Sequence, residues 1–244
     1  GEIYPGPYGY RRFWFRDACL MLQAMLALGL TGRARKAIAG FPDKQKRDGY
    51  FRSQKGEWDS NGQVLWIMDR YRQLTGEPPA PDWIEAAAEG ARWILRKRLP
   101  KKAGQLHGGL LPAGFSAEHL GPNDYYFWDD FWSVAGLRAA ARLIAGNGET
   151  KDARSLAREA DDFEKTVFDV ISAIPRQRSR GGIPASPYRR MDAGAIGSMV
   201  ADYPLQLTPA KDKRIEKTLD YLMKNSFFRG GFFQDMIHSG INIY

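Results

Sequence analysis

The chain of 244 residues has one cysteine, three histidines and no long apolar run, and each shortage removes a class of explanation. Cys19, set among Ala18, Leu20 and Met21, has no partner for a disulfide within the chain and reads as a small core residue. His107, Glu118, His119 and Asp124 share one stretch, but their spacing matches no zinc pattern, so neither a metal nor a cofactor is expected. The apolar stretch at 18–30 is bounded by Arg16-Asp17 and Thr31-Gly32-Arg33. It falls short of the roughly 18 residues that a membrane span needs, and no membrane partner is expected. Low-complexity segments are also missing. At 43% hydrophobic and 26% charged, the composition is that of a folded chain able to bury a sizeable core.

The net charge of +8 raises the question of nucleic acid, and its distribution answers it. Basic residues come in short groups such as Arg33, Arg35 and Lys36, or Arg96, Lys97 and Arg98, with acids interspersed. That is a solvated surface and not a stripe that follows a phosphate backbone, so no nucleic-acid partner is expected. The chain opens at Gly1 inside a motif-like segment, so the natural N-terminus is expected elsewhere. The compartment is left open, with the cytoplasm slightly favoured.

What the sequence has in quantity is helical periodicity. Helices are expected over 13–30, 31–40, 61–74, 81–99, 130–145, 150–174, 193–203 and 209–225. The first of each pair is apolar and the second carries charge on one face, so the chain reads as four helical hairpins in one domain spanning 1–244. The 13–30 helix is apolar all round and is expected to be buried. Trp83 and Trp93 lie among alanines and leucines and are expected in the core. Connections within hairpins are short, whereas those between them (41–60, 100–128, 175–192 and 226–235) are long. Long loops in a compact domain are usually functional, and these all precede an inner helix, so they are expected to converge on one end. Their Gly and Pro content fits shaped loops or short hairpins.

Each inner helix is preceded by an acid: Asp17, Asp59, the pair Asp129 and Asp130, Asp192, and Asp235. An acid before a first turn is ordinary capping chemistry. Capping does not call for an aromatic beside it, yet Trp58 and Trp128 stand directly before Asp59 and Asp129, and Trp14 lies three residues before Asp17. Aromatic faces beside carboxylates suit a carbohydrate, whose ring stacks while its hydroxyls are held by charged acceptors. His238, near Asp235, is placed at the same mouth.

These segments resemble the six-hairpin glycosidases with an (α/α)6 barrel, the glucoamylases and their relatives. Phe13-Trp14-Phe15-Arg16-Asp17-Ala18 is similar to their Trp-x-Arg-Asp-Ser/Ala segment, Asp59-Ser60-Asn61-Gly62-Gln63 to the polar opening of the second inner helix, and Tyr126-Phe127-Trp128-Asp129-Asp130 to Leu-Trp-Glu-Glu. The resemblance implies an all-α toroid of helical hairpins. It makes Arg16 and Asp17 ligands of the sugar hydroxyls and Asp129 the general acid. Asp in place of Glu points away from glucoamylase proper and toward a relative such as the trehalases. About four of the six hairpins are present, which marks the barrel as incomplete at its C-terminal side and implies that the catalytic base lies beyond Tyr244.

Glycosidic hydrolysis needs one protonated carboxyl for the leaving oxygen and one carboxylate to activate water. Asp129, beside Trp128 and Asp130, has the desolvation and the like-charge neighbour that raise a carboxyl pKa. The expected activity is therefore an inverting glycoside hydrolase acting on an α-glucoside or related oligosaccharide. Asp59, Gln63 and Asp130 are expected to touch the substrate with Trp14, Trp58 and Trp128, and Glu118 is a secondary contact or an alternative acid. Two alternatives stay open: a disaccharide phosphorylase of the same fold, with Arg189-Arg190 as the phosphate pocket, and a non-catalytic carbohydrate-binding barrel.

Overall fold

A computed structural model of the chain describes residues 3–6, 12–115, 123–146, 148 and 150–233. Eight α-helices appear among them: α1 (Phe15–Ala27), α2 (Thr31–Ile38), α3 (Ser60–Thr75), α4 (Pro81–Lys97), α5 (Phe127–Ala145), α6 (Thr150–Ala173), α7 (Arg176–Ser179) and α8 (Lys213–Asn225). A 3-10 helix covers Ala193–Ala201, and a two-stranded hairpin joins β1 (Phe227–Phe228) to β2 (Gly231–Phe232). The chain is mostly helical, as the periodicity predicts. It divides into two compact units, one of residues 1–97 and 132–162, the other of 98–131 and 163–244, with one boundary at the end of α4 and the other two inside α5 and α6.

In the first unit α1 packs on α2 and α3, and α3 packs on α4. Local chemistry sets the ends of these helices. Gly76 takes the left-handed conformation (φ 72°) that closes α3, and its N–H reaches the Arg72 carbonyl. Pro81 opens α4, where its missing N–H costs nothing, and Arg96 and Lys97 sit at the negative end of the dipole. Helices α3 and α5 meet backbone to backbone: a Cβ on Gly62 would lie 2.1 Å from the Trp132 carbonyl oxygen, and one on Gly136 would lie 2.5 Å from the Gly62 Cα. Only glycine fits such a crossing. Asp69, fully buried on α3, accepts from Arg72 Nε (3.0 Å) and from Arg142 Nε of α5 (2.7 Å), so the crossing is also tied by charge. Asn61 fixes the 41–59 loop, accepting from Phe51 N–H (2.8 Å) and donating to the Gly49 (2.9 Å) and Gly90 (3.0 Å) carbonyls. Trp83 and Trp93 are buried, as expected.

In the second unit Asp212 caps α8, accepting from Arg214 N–H at 2.8 Å, and α8 packs on the 3-10 helix around Met191, Ala195 and Leu222. The hairpin turns at Arg229 and Gly230, both at positive φ, and pairs Phe227 with Phe232.

Five expectations need correction. The first helix is Phe15–Ala27 and not 13–30, because Gly29 (φ 74°) turns the chain out. It is not buried all round either: Leu20 is 40% exposed, on a side that neither α2 nor α3 covers. The stretch expected as an α-helix at 193–203 is a 3-10 helix, since Gly194 and Gly197 weaken the α-helical preference that the small apolar residues suggest. Residues 175–192, expected as loop, contain α7. Finally, α5 starts at Phe127 and not at 130, because the Ala185 carbonyl takes the Phe127 N–H at 3.0 Å.

Candidate functional site

Two buried polar clusters coincide with the aromatic-acid segments, one in each unit. In the first unit Arg16, on the first turn of α1, donates from Nε to Asp59 Oδ2 at 2.9 Å, and its Nη2 stands 3.2 Å from Glu57 Oε2. Gln63 Nε2, one turn along α3, donates to the same Asp59 oxygen at 3.2 Å. Arg16 is 7% exposed, Glu57 1%, Asp59 2% and Gln63 0%. Asp59 is not a cap: its backbone is helical and its side chain makes no capping bond. Burying one cation with two carboxylates is expensive, and packing alone does not require it. Gln63 Oε1 is buried with no hydrogen-bond partner among the described residues, so this net has an acceptor left over.

The flanking indoles are partly occupied. Arg12 lies 4.9 Å from the Trp14 ring centroid, and Lys97 Nζ lies 3.9 Å from that of Trp58. Asp17 is half-buried in the first turn of α1 and is not part of the net. Glu57 is a member the sequence reading passed over, although its place beside Trp58 offered the same signal as Asp59.

In the second unit Asp129 and Asp130 lie inside the first turn of α5, 2% and 1% exposed. Asp130 Oδ1 accepts from the Leu111 N–H at 2.9 Å, which fastens the chain at Leu111 to the helix start. Burial pushes the Asp130 carboxyl up to about 7, against the pull of the Leu111 N–H and the Arg98 charge. Helix N-termini favour the ionised form by up to about 2 kcal/mol, so desolvation outweighs the dipole here. Below about pH 7, then, Asp130 is neutral. It is not the like-charge neighbour expected to act on Asp129. Trp128 is buried at 9% exposure.

Tyr126, one residue before α5, is buried, and desolvation raises its hydroxyl to about 12, with Arg189, Asp124 and Asp129 among the charges around it. Arg189 is committed to Asp192, donating from Nε at 3.0 Å and from Nη2 to the same Oδ2. Asp192 also caps the 3-10 helix, accepting from Gly194 N–H at 2.9 Å, so this acid is structural. Tyr126 and Arg189 enter the cluster through tertiary contacts that spacing alone does not show.

Glu118, His119, Asp235 and His238 lie outside the described residues. Among the described residues no group of three metal-ligating side chains gathers, and no helix is long and apolar enough to cross a membrane. A cavity of about 340 Å3 in the first unit lies among Phe13, Lys36, Phe41 and Lys44, away from Asp59. No family model and no curated protein matches this chain. The chemistry on offer is therefore that of the clusters themselves: a guanidinium-carboxylate net with an unused acceptor, and a carboxyl pair of which one member carries a proton near neutral pH.

Proposed function

We propose that the chain belongs to a glycoside hydrolase that acts, with inversion, on an α-glucoside or related oligosaccharide, and that its hairpins are part of an (α/α) toroid. The observation that carries this reading is the carboxyl pair in the first turn of α5, buried beside Trp128. A buried pair inside a helix start costs stability, and acid-base chemistry on a glycosidic oxygen is a use that matches it.

Asp129 is the general acid. Asp130 has one oxygen held by the Leu111 amide, which suits it to position the pair. One observation favours a second assignment: Asp130, and not a charged neighbour, is the group raised to about 7, so it holds the proton a general acid needs. Comparing the two Asn variants separates these roles. Trp14, Arg16, Asp17, Trp58, Asp59 and Gln63, in their own unit, are assigned to recognition of the sugar, with Gln63 Oε1 as an acceptor for a hydroxyl. For the phosphorylase alternative, which names Arg189 and Arg190, Arg189 Nε and Nη2 are engaged by Asp192, whereas its Nη1 is buried with no hydrogen-bond partner among the described residues. The test is NMR of the sugar released from α-glucosides by the full-length protein: a β-anomer appearing first supports inversion, and sugar binding without any release contradicts the hydrolase.

A further inference from the structure

We infer that His107, Tyr125 and Tyr188 form a ring-stacking subsite for one unit of a neutral oligosaccharide, an inference that rests on the glycosidase reading and adds a place where the chain holds its substrate. The three rings come from separate loop positions in the second unit. His107 and Tyr125 are stacked, with centroids 4.0 Å apart and planes 10° from parallel. Tyr188 crosses both, at 62° to His107 and 63° to Tyr125. Its hydroxyl and His107 Nδ1 are 2.7 Å apart, a hydrogen bond that fixes the corner. Tyr188 is 45% exposed and the other two rings are half-buried, so the corner opens to solvent and is not core.

Both sides of the corner are held by the main chain. Tyr125 N–H donates to Asp124 Oδ1 at 2.8 Å, and the other Asp124 oxygen accepts from Ser186. Arg178 Nη1 donates to the Pro187 carbonyl at 2.8 Å, directly before Tyr188. Loops that present aromatic area to water in a fixed L-shape are pre-organised for a ligand with an apolar face. A pyranose fits this shape: its C–H face lies on one ring, its edge meets the perpendicular ring, and its hydroxyls meet the polar rim at Asp124, whose carboxylate the buried Ser186 holds in place. A carboxylate on that rim disfavours a phosphate backbone, which points to a neutral sugar over a nucleic-acid base.

Calorimetric titration of the full-length protein with gluco-oligosaccharides of increasing length tests this. Tyr188→Ala and His107→Ala should each bind the longer sugars about 10–100-fold more weakly, the effect of losing one buried ring face. Tyr188→Phe keeps the face and should lose about fivefold, the share of one hydrogen bond. A second reading needs no variant: in the unaltered protein the His107 ring-proton resonances should shift as oligosaccharide is added, and the stacked sugar's C–H protons should move upfield. Alanine variants that keep their melting temperature and bind every sugar as the parent does would overturn the subsite. So would His107 resonances that move with an oligonucleotide but with no sugar. Turnover that is indifferent to the three rings sinks the subsite alone; ring-dependent binding without bond cleavage sinks the hydrolase alone.

Discussion

Replacing Asp130 by Asn should make the protein's stability less sensitive to pH in a direction the structure fixes. The folded carboxyl is raised to about 7 from an ordinary 3.8, so the folded state binds this proton more tightly than the unfolded one does. The linked stability is fully present below about pH 4 and is lost as pH rises through about 7, after which the penalty for an ionised, buried Asp130 is constant. The gap between the two values corresponds to on the order of 4 kcal/mol. Asn keeps a carbonyl for the Leu111 N–H and never ionises, so it escapes this loss. Thermal melts of parent and Asp130→Asn at pH 4.5 and pH 8 isolate the effect, because other titrating groups cancel in the difference. The variant should match or trail the parent at pH 4.5 and exceed it by roughly 10 °C at pH 8. A melting difference that stays constant across this range, or that shrinks with rising pH, would refute the account of Asp130.

Three further outcomes follow from the packing. Gly62→Ala drives a methyl into the Trp132 carbonyl and should cost about 3 kcal/mol or more in urea unfolding; a loss below about 1 kcal/mol would mean the helices separate easily. Arg16→Met removes the cation buried with Glu57 and Asp59 and should destabilise by about 3–5 kcal/mol, whereas a loss under about 1 kcal/mol would place the net in solvent. Leu219 and Met223 on α8, 47% and 54% exposed, should drive concentration-dependent association that Leu219→Lys and Met223→Glu reduce in sedimentation; a parent that stays monomeric at high concentration contradicts this.

Helices were legible because their period and their punctuation agree: Pro81 opens α4 and Gly76 closes α3 where the pattern ends. The misplaced elements share a cause that local sequence does not carry. The start of α5 depends on the Ala185 carbonyl, distant along the chain, and the 3-10 helix, weakened locally by its glycines, is held by Ser198 Oγ donating to the Pro184 carbonyl at 2.9 Å. The same division runs through the candidate site. Acids beside aromatics could be read from the sequence, but their partners could not. Asp59 is held by Arg16 and Gln63, Asp192 caps the 3-10 helix, and burial, a tertiary fact, raises the Asp130 carboxyl against the pull of the Leu111 N–H and Arg98.

The central claim is that Asp129 gives a proton to a leaving glycosidic oxygen, and leaving-group dependence tests it most directly. Turnover of α-glucosides with poor and with activated leaving groups should be measured in the full-length protein, its Asp129→Asn variant and its Asp130→Asn variant. Asp129→Asn should cut turnover of the poor leaving group by about 10²–10⁴-fold and largely spare the activated one, with little change in binding. Asp17→Asn, as a recognition residue, should lower binding and turnover of both substrates together. If Asp129→Asn slows both substrates equally, or if the leaving-group dependence belongs to Asp130→Asn, then Asp129 is not the general acid.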